Sequence, residues 1–355
     1  MIKRIAIVCN YKLLEDRVGG MDYFFWCFQK ACNEKQIEID WFFPNLSSHG
    51  EYHKFNIILP LINESLEKSV LNHFNTKSVQ YSHVITHFVE LCTSFFADIK
   101  KVQNSKIIAV DHNPRPLNGY SLKKRIKKRI KGILYSKYTN QFIGVSDYTR
   151  QSILNDFGGF LKHKTKTVYN GVLIDSIVAK TKSRNLMNPK FLVVSHLRKS
   201  KGIQDLIMAV VLLKDDLKID IYGDGPYKKE LIQLVEKYKL ETNFNFKGSQ
   251  SNVNALYQNY DYLVQPTHME CFSLSILESL AANIPVITTP VGGNTEVVTH
   301  NENGFIFEAK SINQLASLLE SIIKGEKYIT DNTRTLIENK FSIDSMVDNY
   351  MELIK

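Results

Sequence analysis

The sequence predicts an α/β protein built from two Rossmann-like, doubly wound domains that face each other across a cleft. Three observations carry this. Short apolar runs alternate with amphipathic stretches along all 355 residues. The runs are almost continuous in Val, Ile and Leu, as strands buried on both faces require. A polar stretch near the middle divides them into two series, each with the alternation of a parallel sheet wrapped in helices.

The first series has strand candidates at residues 5–9, 39–43, 56–59, 83–87, 106–110, 141–145 and 167–169. The second has them at 191–195, 218–222, 243–246, 262–265, 285–288 and 305–307. Between them, residues 179–189 read Ala-Lys-Thr-Lys-Ser-Arg-Asn-Leu-Met-Asn-Pro, the composition of an interdomain linker. Domains are therefore expected at 1–178 and 190–341. A last helix, 342–355, carries Ile343, Met346, Val347, Tyr350 and Leu353 at helical spacing and is expected to pack back on the first domain.

Composition narrows the class. With 44% hydrophobic and 23% charged residues the chain is that of a folded globular protein. Cys9, Cys27, Cys32, Cys92 and Cys271 are scattered without metal-ligand spacing, so free thiols in a reducing, cytoplasmic setting are expected. The apolar run 5–9 is too short for a signal-peptide core. No run approaches the ~18 apolar residues of a membrane span. The net charge is +9, but Lys123, Lys124, Arg125, Lys127, Lys128, Arg129 and Lys131 supply seven of those charges without an intervening acid, which leaves +2 for the remainder. The basicity is local and needs a local explanation.

The segment from Gln265 to Glu278 holds two glutamates, Glu270 and Glu278, with seven residues between them. A strand ends near Pro266, and residues 274–282 are good helix. Glu270 therefore falls in the loop before that helix and Glu278 about one turn inside it. Loops beyond the carboxyl ends of parallel strands are where ligands bind. The unpaired N–H groups of a helix start suit a diphosphate. Four further segments accompany the pair in order: Val194-Ser195-His196-Leu197-Arg198-Lys199-Ser200-Lys201-Gly202, then Ile221-Tyr222-Gly223-Asp224-Gly225-Pro226, then the glycine loop Val291-Gly292-Gly293-Asn294 after strand 285–288, and Asn303-Gly304-Phe305.

Together these resemble glycosyltransferase family 4, the glycosyl transferases group 1, whose C-terminal hallmark is Glu-x7-Glu and whose fold is called GT-B. The resemblance covers residues 190–308 and implies a donor site. Lys201 would neutralise the diphosphate of a nucleotide sugar, a task suited to a compact ammonium. Glu278 would bind ribose hydroxyls and Glu270 the donor sugar, with Cys271, Phe272, Ser273 and Leu274 completing the loop. Gly223, Gly292 and Gly293 would let backbone approach the ligand. Two departures stand out. His196 lies where the family has Arg, with Arg198 the expected substitute for the fixed charge, and Cys271 lies where the family has Gly.

In the first half, Gly19-Gly20 follows the first strand, where the family places bare backbone against the donor. His112, at the end of strand 106–110, occupies the family's catalytic-histidine position, and His87, one strand earlier, is the competitor. Val145-Ser146-Asp147-Tyr148-Thr149-Arg150 and Asn170-Gly171-Val172 are further matching connectors. The resemblance implies a retaining transfer from a nucleotide diphosphate sugar, with UDP the expected base, to a saccharide or lipid-linked acceptor in bacterial cell-surface polysaccharide synthesis. No Asp-x-Asp is present, so metal independence and no cofactor are expected. His112, Glu270, Lys201 and Arg198 are the expected catalytic set. A nucleotide-sugar epimerase on the same fold, or a non-catalytic binding subunit, remain as alternatives.

Within 121–138, Leu122, Ile126, Ile130, Ile133 and Leu134 recur at helical spacing among the cations. This is a solvated helix of the protein's own surface, one that adsorbs to the anionic inner face of a membrane and brings the enzyme to a lipid-linked acceptor, or one that meets an anionic acceptor. No nucleic-acid motif is present, and no nucleic-acid partner is expected.

Overall fold

The computed structural model describes residues 3–15, 18–182, 184–213, 217–250 and 252–355. The chain divides into two compact units, one of residues 1–170 with 343–355 and the other of residues 171–342.

The first unit begins with β1 (Lys3–Cys9), α1 (Gly20–Glu34), β2 (Ile37–Phe42), β3 (Asn56–Ile58), α2 (Leu66–Thr76), β4 (His83–His87) and α3 (Ser94–Val102). It continues with β5 (Lys106–Asp111), α4 (Leu122–Tyr135), β6 (Gln141–Gly144), α5 (Asp147–Phe157) and β7 (Thr165–Thr167). The strands form one parallel sheet in the order β3-β2-β1-β4-β5-β6-β7. The last five residues of β1 and all of β4 are buried. That is why the Ile5–Cys9 run of β1 is apolar throughout rather than alternating, while β4 buries His83, Thr86 and His87 beside its Val84 and Ile85.

The second unit holds β8 (Phe191–Val194), α6 (Ile203–Val211), β9 (Ile219–Tyr222), α7 (Lys228–Lys237), β10 (Phe244–Gly248), α8 (Val253–Leu256) and β11 (Tyr262–Gln265). Then come α9 (Leu274–Ala281), β12 (Val286–Thr288), β13 (Gly304–Ile306), α10 (Ile312–Ile323) and α11 (Arg334–Lys340). Its strands are also all parallel, in the order β10-β9-β8-β11-β12-β13. Both sheets reverse direction beside their first strand, between β1 and β4 and between β8 and β11. Loops leaving the carboxyl ends of the two strands on either side of such a switch diverge and open a crevice. The fold is thus two Rossmann-like domains of the GT-B type.

The final helix, α12 (Ile343–Leu353), belongs to the first unit. Its buried Tyr350 meets Phe24 of α1 at 4.8 Å and stacks on His87 at 5.7 Å between ring centroids. Residues 179–189 are not a loose connector. Lys180 Nζ donates to the Tyr260 carbonyl at 2.8 Å, and the Arg184 guanidinium donates to the carbonyls of Ile329 and Asn283. Asp261 accepts from the backbone N–H of Asn185 at 3.0 Å. The stretch is polar because its cations cap carbonyls of the second unit, and the division between units falls earlier, after Asn170.

Candidate active site

In the second unit the switch crevice gathers the carboxyl-end loops of β8 and β11. The β8 loop ends in a turn, Lys199–Lys201, that closes on Gly202 with φ +71°. A Cβ on Gly202 would lie 1.8 Å from the Pro266 carbonyl oxygen, so only glycine lets the two loops touch. Ser200 O accepts from the His268 N–H at 2.8 Å, and His268 Nε2 lies 2.5 Å from Asp205 Oδ2 on α6. This stitching delivers Lys201 to Glu270, with Nζ and Oε2 2.6 Å apart. Both side chains are largely shielded, at 21% and 11% exposure, so the pair is less screened than a surface ion pair. Glu270 Oε1 also accepts from the Cys271 N–H at 3.1 Å.

The Glu270 loop is held from its far side by the glycine turn. Gly292 has φ +66°, and a Cβ there would fall 2.2 Å from the Glu270 carbonyl oxygen. The Gly293 N–H donates to Cys271 O at 3.0 Å. The need for glycine at 292 is therefore met inside the protein, by close packing of two loops. Gly223 serves similarly after β9, packed on the Ser195 carbonyl.

α9 opens on Ser273, whose hydroxyl accepts from the Ile276 N–H and from the Gln265 amide, the latter at 2.5 Å. Leu274 is the first helical residue, and Phe272 is buried with its ring 5.6 Å from Phe341. Glu278 lies one turn in, is buried, and accepts from the Tyr257 hydroxyl at 2.8 Å. Burial pushes its carboxyl up to about 7, against the opposing hydrogen bond from Tyr257. The structure thus brings Lys201, Glu270, Ser273 and Glu278 to loops and a helix start around one switch point. His196 and Arg198 are exposed on the β8 loop, where the Arg198 N–H donates to His196 O at 2.8 Å.

The first unit's switch point is framed by the start of α1 and the ends of β4 and β5. Asp22 is fully buried and fixes the α1 start, accepting from the Gly19 N–H at 3.0 Å, Tyr11 at 3.0 Å and Tyr52 at 2.7 Å. Gly20 begins α1, and Gly19 is extended at φ −145° with no atom near where a Cβ would stand. Gly19→Ala is therefore expected to fold normally, within about 1 kcal/mol of wild type. If the backbone there faces a ligand, the donor KM should rise at least about tenfold. Normal stability with normal KM in a paired thermal melt and kinetic assay would remove Gly19 from the site.

His112 is buried after β5, its Nε2 3.0 Å from His87 Nδ1 and its ring stacked on Phe88 at 4.2 Å. Sequence reasoning treats the two histidines as competitors, whereas the structure couples them. Strands β4 and β5 are adjacent in the sheet, so their carboxyl ends meet. Burial pushes His112 down to about 4, partly opposed by Asp111, and holds His87 well below the usual range. His112 is then a neutral hydrogen-bonding group at neutral pH, suited to orienting a ligand by its ring dipole rather than by positive charge. The loop that carries it is pinned by Arg115, which pairs with Asp111 at 2.6 Å and Asp156 at 2.8 Å. The residues missed by sequence reasoning, Tyr257, His268 and Asp205, act through their neighbours and carry no motif of their own. Among the described residues no group of three or more His, Cys, Asp or Glu side chains converges as metal ligands, and no helix is long and apolar enough to cross a membrane.

The class this fold defines is the two-Rossmann GT-B type, with a switch-point crevice in each unit. Residues 177–341 match the family described as Glycosyl transferases group 1. It is similar to the N-acetyl-alpha-D-glucosaminyl L-malate synthase of Bacillus anthracis, 30% identical over 162 residues, or 44% of this chain and 42% of that protein. It is also similar to the poly(ribitol-phosphate) alpha-N-acetylglucosaminyltransferase of Staphylococcus aureus, 23% identical over 266 residues, or 73% of this chain and 52% of that protein. The chain thus spans about half the length of these two relatives or less. Among solved structures, the Anabaena protein Alr3699/HepE in complex with UDP-glucose matches 99% of both chains with a TM-score of 0.77 and 17% identity.

Proposed function

We propose that the chain is a retaining, metal-independent glycosyltransferase that moves a sugar from a nucleotide diphosphate sugar, with UDP as the base, to a saccharide or lipid-linked acceptor in cell-surface polysaccharide assembly. The observation that carries this reading is the Lys201–Glu270 contact at the β8/β11 switch point, with Glu278 one turn into the adjoining helix. A diphosphate placed against the Lys201 ammonium would exchange carboxylate for phosphate oxygens and leave Glu270 to accept from sugar hydroxyls. The start of α9 and Arg198 would share the phosphate charge. Glu278 would accept from the ribose hydroxyls. The leaving phosphate would take the acceptor's proton as the new bond forms on the same face, through an oxocarbenium-like state. Support comes from the family match over 177–341, from relatives named as sugar transferases to phosphate polymers, and from a structural neighbour solved with UDP-glucose.

His112→Ala is expected to lower turnover by at least about tenfold, roughly 1.4 kcal/mol of barrier. The wild-type rate should show no limb from His112 above about pH 5, because the ring is already neutral there. Unchanged turnover would remove His112 from the reaction. The overall reading is tested by a thermal-shift screen of UDP-, GDP- and ADP-sugars followed by proton NMR of the product with and without a chelator. A UDP-sugar should stabilise the protein most, and the product should keep the donor's anomeric configuration in the chelator. An inverted product, or loss of turnover on chelation, would overturn the mechanism.

A further inference from the structure

We infer that α4 is a membrane-docking helix that lies in the interface of an anionic phospholipid layer, with the cationic groove beside it receiving lipid phosphate headgroups. The inference rests on which way the helix is turned, not on the transfer reaction. At 3.6 residues per turn, Leu122, Ile126, Ile130 and Ile133 fall within about 80° of arc. A helix packed on its own protein buries such a stripe. Here the stripe points outward, with those residues 69%, 52%, 50% and 61% exposed.

The opposite side is the one that packs. Gly132 is buried where α4 crosses α5, and a Cβ on it would lie 2.1 Å from the Phe157 carbonyl oxygen. Lys128 reaches Asp156 at 2.9 Å and Lys131 reaches Glu90 at 2.5 Å. α4 is therefore tethered by glycine and by ion pairs, and its aliphatic face is left to the surroundings. Water gives that face nothing, so an apolar phase is the environment that accounts for it.

The cations then fit a lipid surface. Lys123 and Lys127 border one edge of the stripe, and Arg125 and Arg129 border the other, with no acid anywhere on the helix. Apolar residues flanked on both sides by cations is the arrangement of a helix lying in a headgroup layer, with Lys and Arg at phosphate level. Beside it opens a groove of about 890 Å³ whose lining includes Arg115, Tyr120, Arg125, Arg129, Arg150 and Lys162. Arg115 is paired with Asp111 and Asp156, and Arg150 with Asp147, so Arg125, Arg129 and Lys162 are the cations the groove presents to a phosphate. A free polar anion would use the groove and leave the stripe unexplained. A phosphate carried on acyl chains uses both.

The test is vesicle flotation of the full chain, which reads binding alone and is independent of any transfer assay. The protein should float with mixed phosphatidylglycerol and phosphatidylcholine vesicles, and at least about tenfold less with phosphatidylcholine alone or at high salt. Two variants separate the components. Ile126→Ser/Ile130→Ser/Ile133→Ser alters exposed side chains, so its melting temperature should hold, yet it should lose at least about tenfold in vesicle binding at low salt. Lys123→Gln/Arg125→Gln/Lys127→Gln should lose the dependence on acidic lipid. Equal recovery with neutral vesicles, or a folded triple-serine variant that floats like wild type, overturns the inference. So does full competition by inorganic phosphate at matched phosphorus concentration, which would show that the groove takes a soluble anion and that the stripe is not in lipid.

Discussion

Lys201→Ala is expected to lower donor kcat/KM by at least about a hundredfold, the scale of removing one preorganised charge from a developing leaving group. The ammonium sits 2.6 Å from Glu270 in a partly shielded pair, so the substitution also strands a carboxylate and should cost about 1–3 kcal/mol of stability. The two effects can be separated. Lys201→Met/Glu270→Gln removes both charges and should recover most of the lost stability while leaving turnover low. If the pair were only a clip between the β8 and β11 loops, the double variant would regain activity together with stability. Steady-state kinetics on urea-titrated samples of both variants decide between these outcomes.

Glu278→Gln should stabilise the protein while weakening its grip on the donor. Burial lifts the Glu278 carboxyl from its ordinary 4.5 to about 7. Between those values the folded chain keeps a proton that the unfolded chain has released. Stability is therefore fully present below about pH 4.5, declines as pH rises through about 7, and stays reduced above it. The size is about 3 kcal/mol if the whole rise is expressed. Glutamine removes that slope, so the variant should melt higher than wild type at pH 8 and close to it at pH 4. With Glu278 in its proposed role, ribose hydroxyls would donate to the ionised form, so wild-type donor affinity should rise between about pH 6 and 8, with proton release on binding. The glutamine variant should lose this pH dependence and bind about ten- to a hundredfold more weakly, the worth of hydrogen bonds to a charged acceptor. A glutamine variant with wild-type affinity at pH 8 would remove Glu278 from the nucleotide site.

Much of the fold was legible because parallel strands buried on both faces advertise themselves. Residues 83–87 and 262–265 are strands at those same bounds, and the other candidates shift by a residue or two. The largest miss is β7. Val168 and Tyr169 draw the reading toward 167–169, but the pairing with β6 is made by Thr165, Lys166 and Thr167. An edge strand that short is decided by backbone register, which side-chain hydrophobicity does not encode. The polar stretch 179–189 misled for a related reason. A lysine that caps a carbonyl and a lysine in a free linker have the same letter.

For the candidate site, the motifs named Lys201, Glu270 and Glu278 individually but could not show that 69 residues of separation close to one ion pair. The sheet order does that, by placing β8 beside β11. The same adjacency, between β4 and β5, turns His87 and His112 from rivals into a hydrogen-bonded pair. Gly292 was readable as glycine-requiring, yet its reason, the Glu270 carbonyl pressed against its α-carbon, lies in a loop more than twenty residues earlier.

Calorimetric titration of the full chain with UDP, repeated on Lys201→Ala/Glu278→Gln, bears most directly on the donor crevice. The expected result is one site on the wild-type chain, with affinity rising from pH 6 to 8, and at least about a hundredfold weaker binding in the double variant. UDP that binds the double variant as tightly as wild type would place the nucleotide elsewhere and contradict the assignment of the β8/β11 switch point.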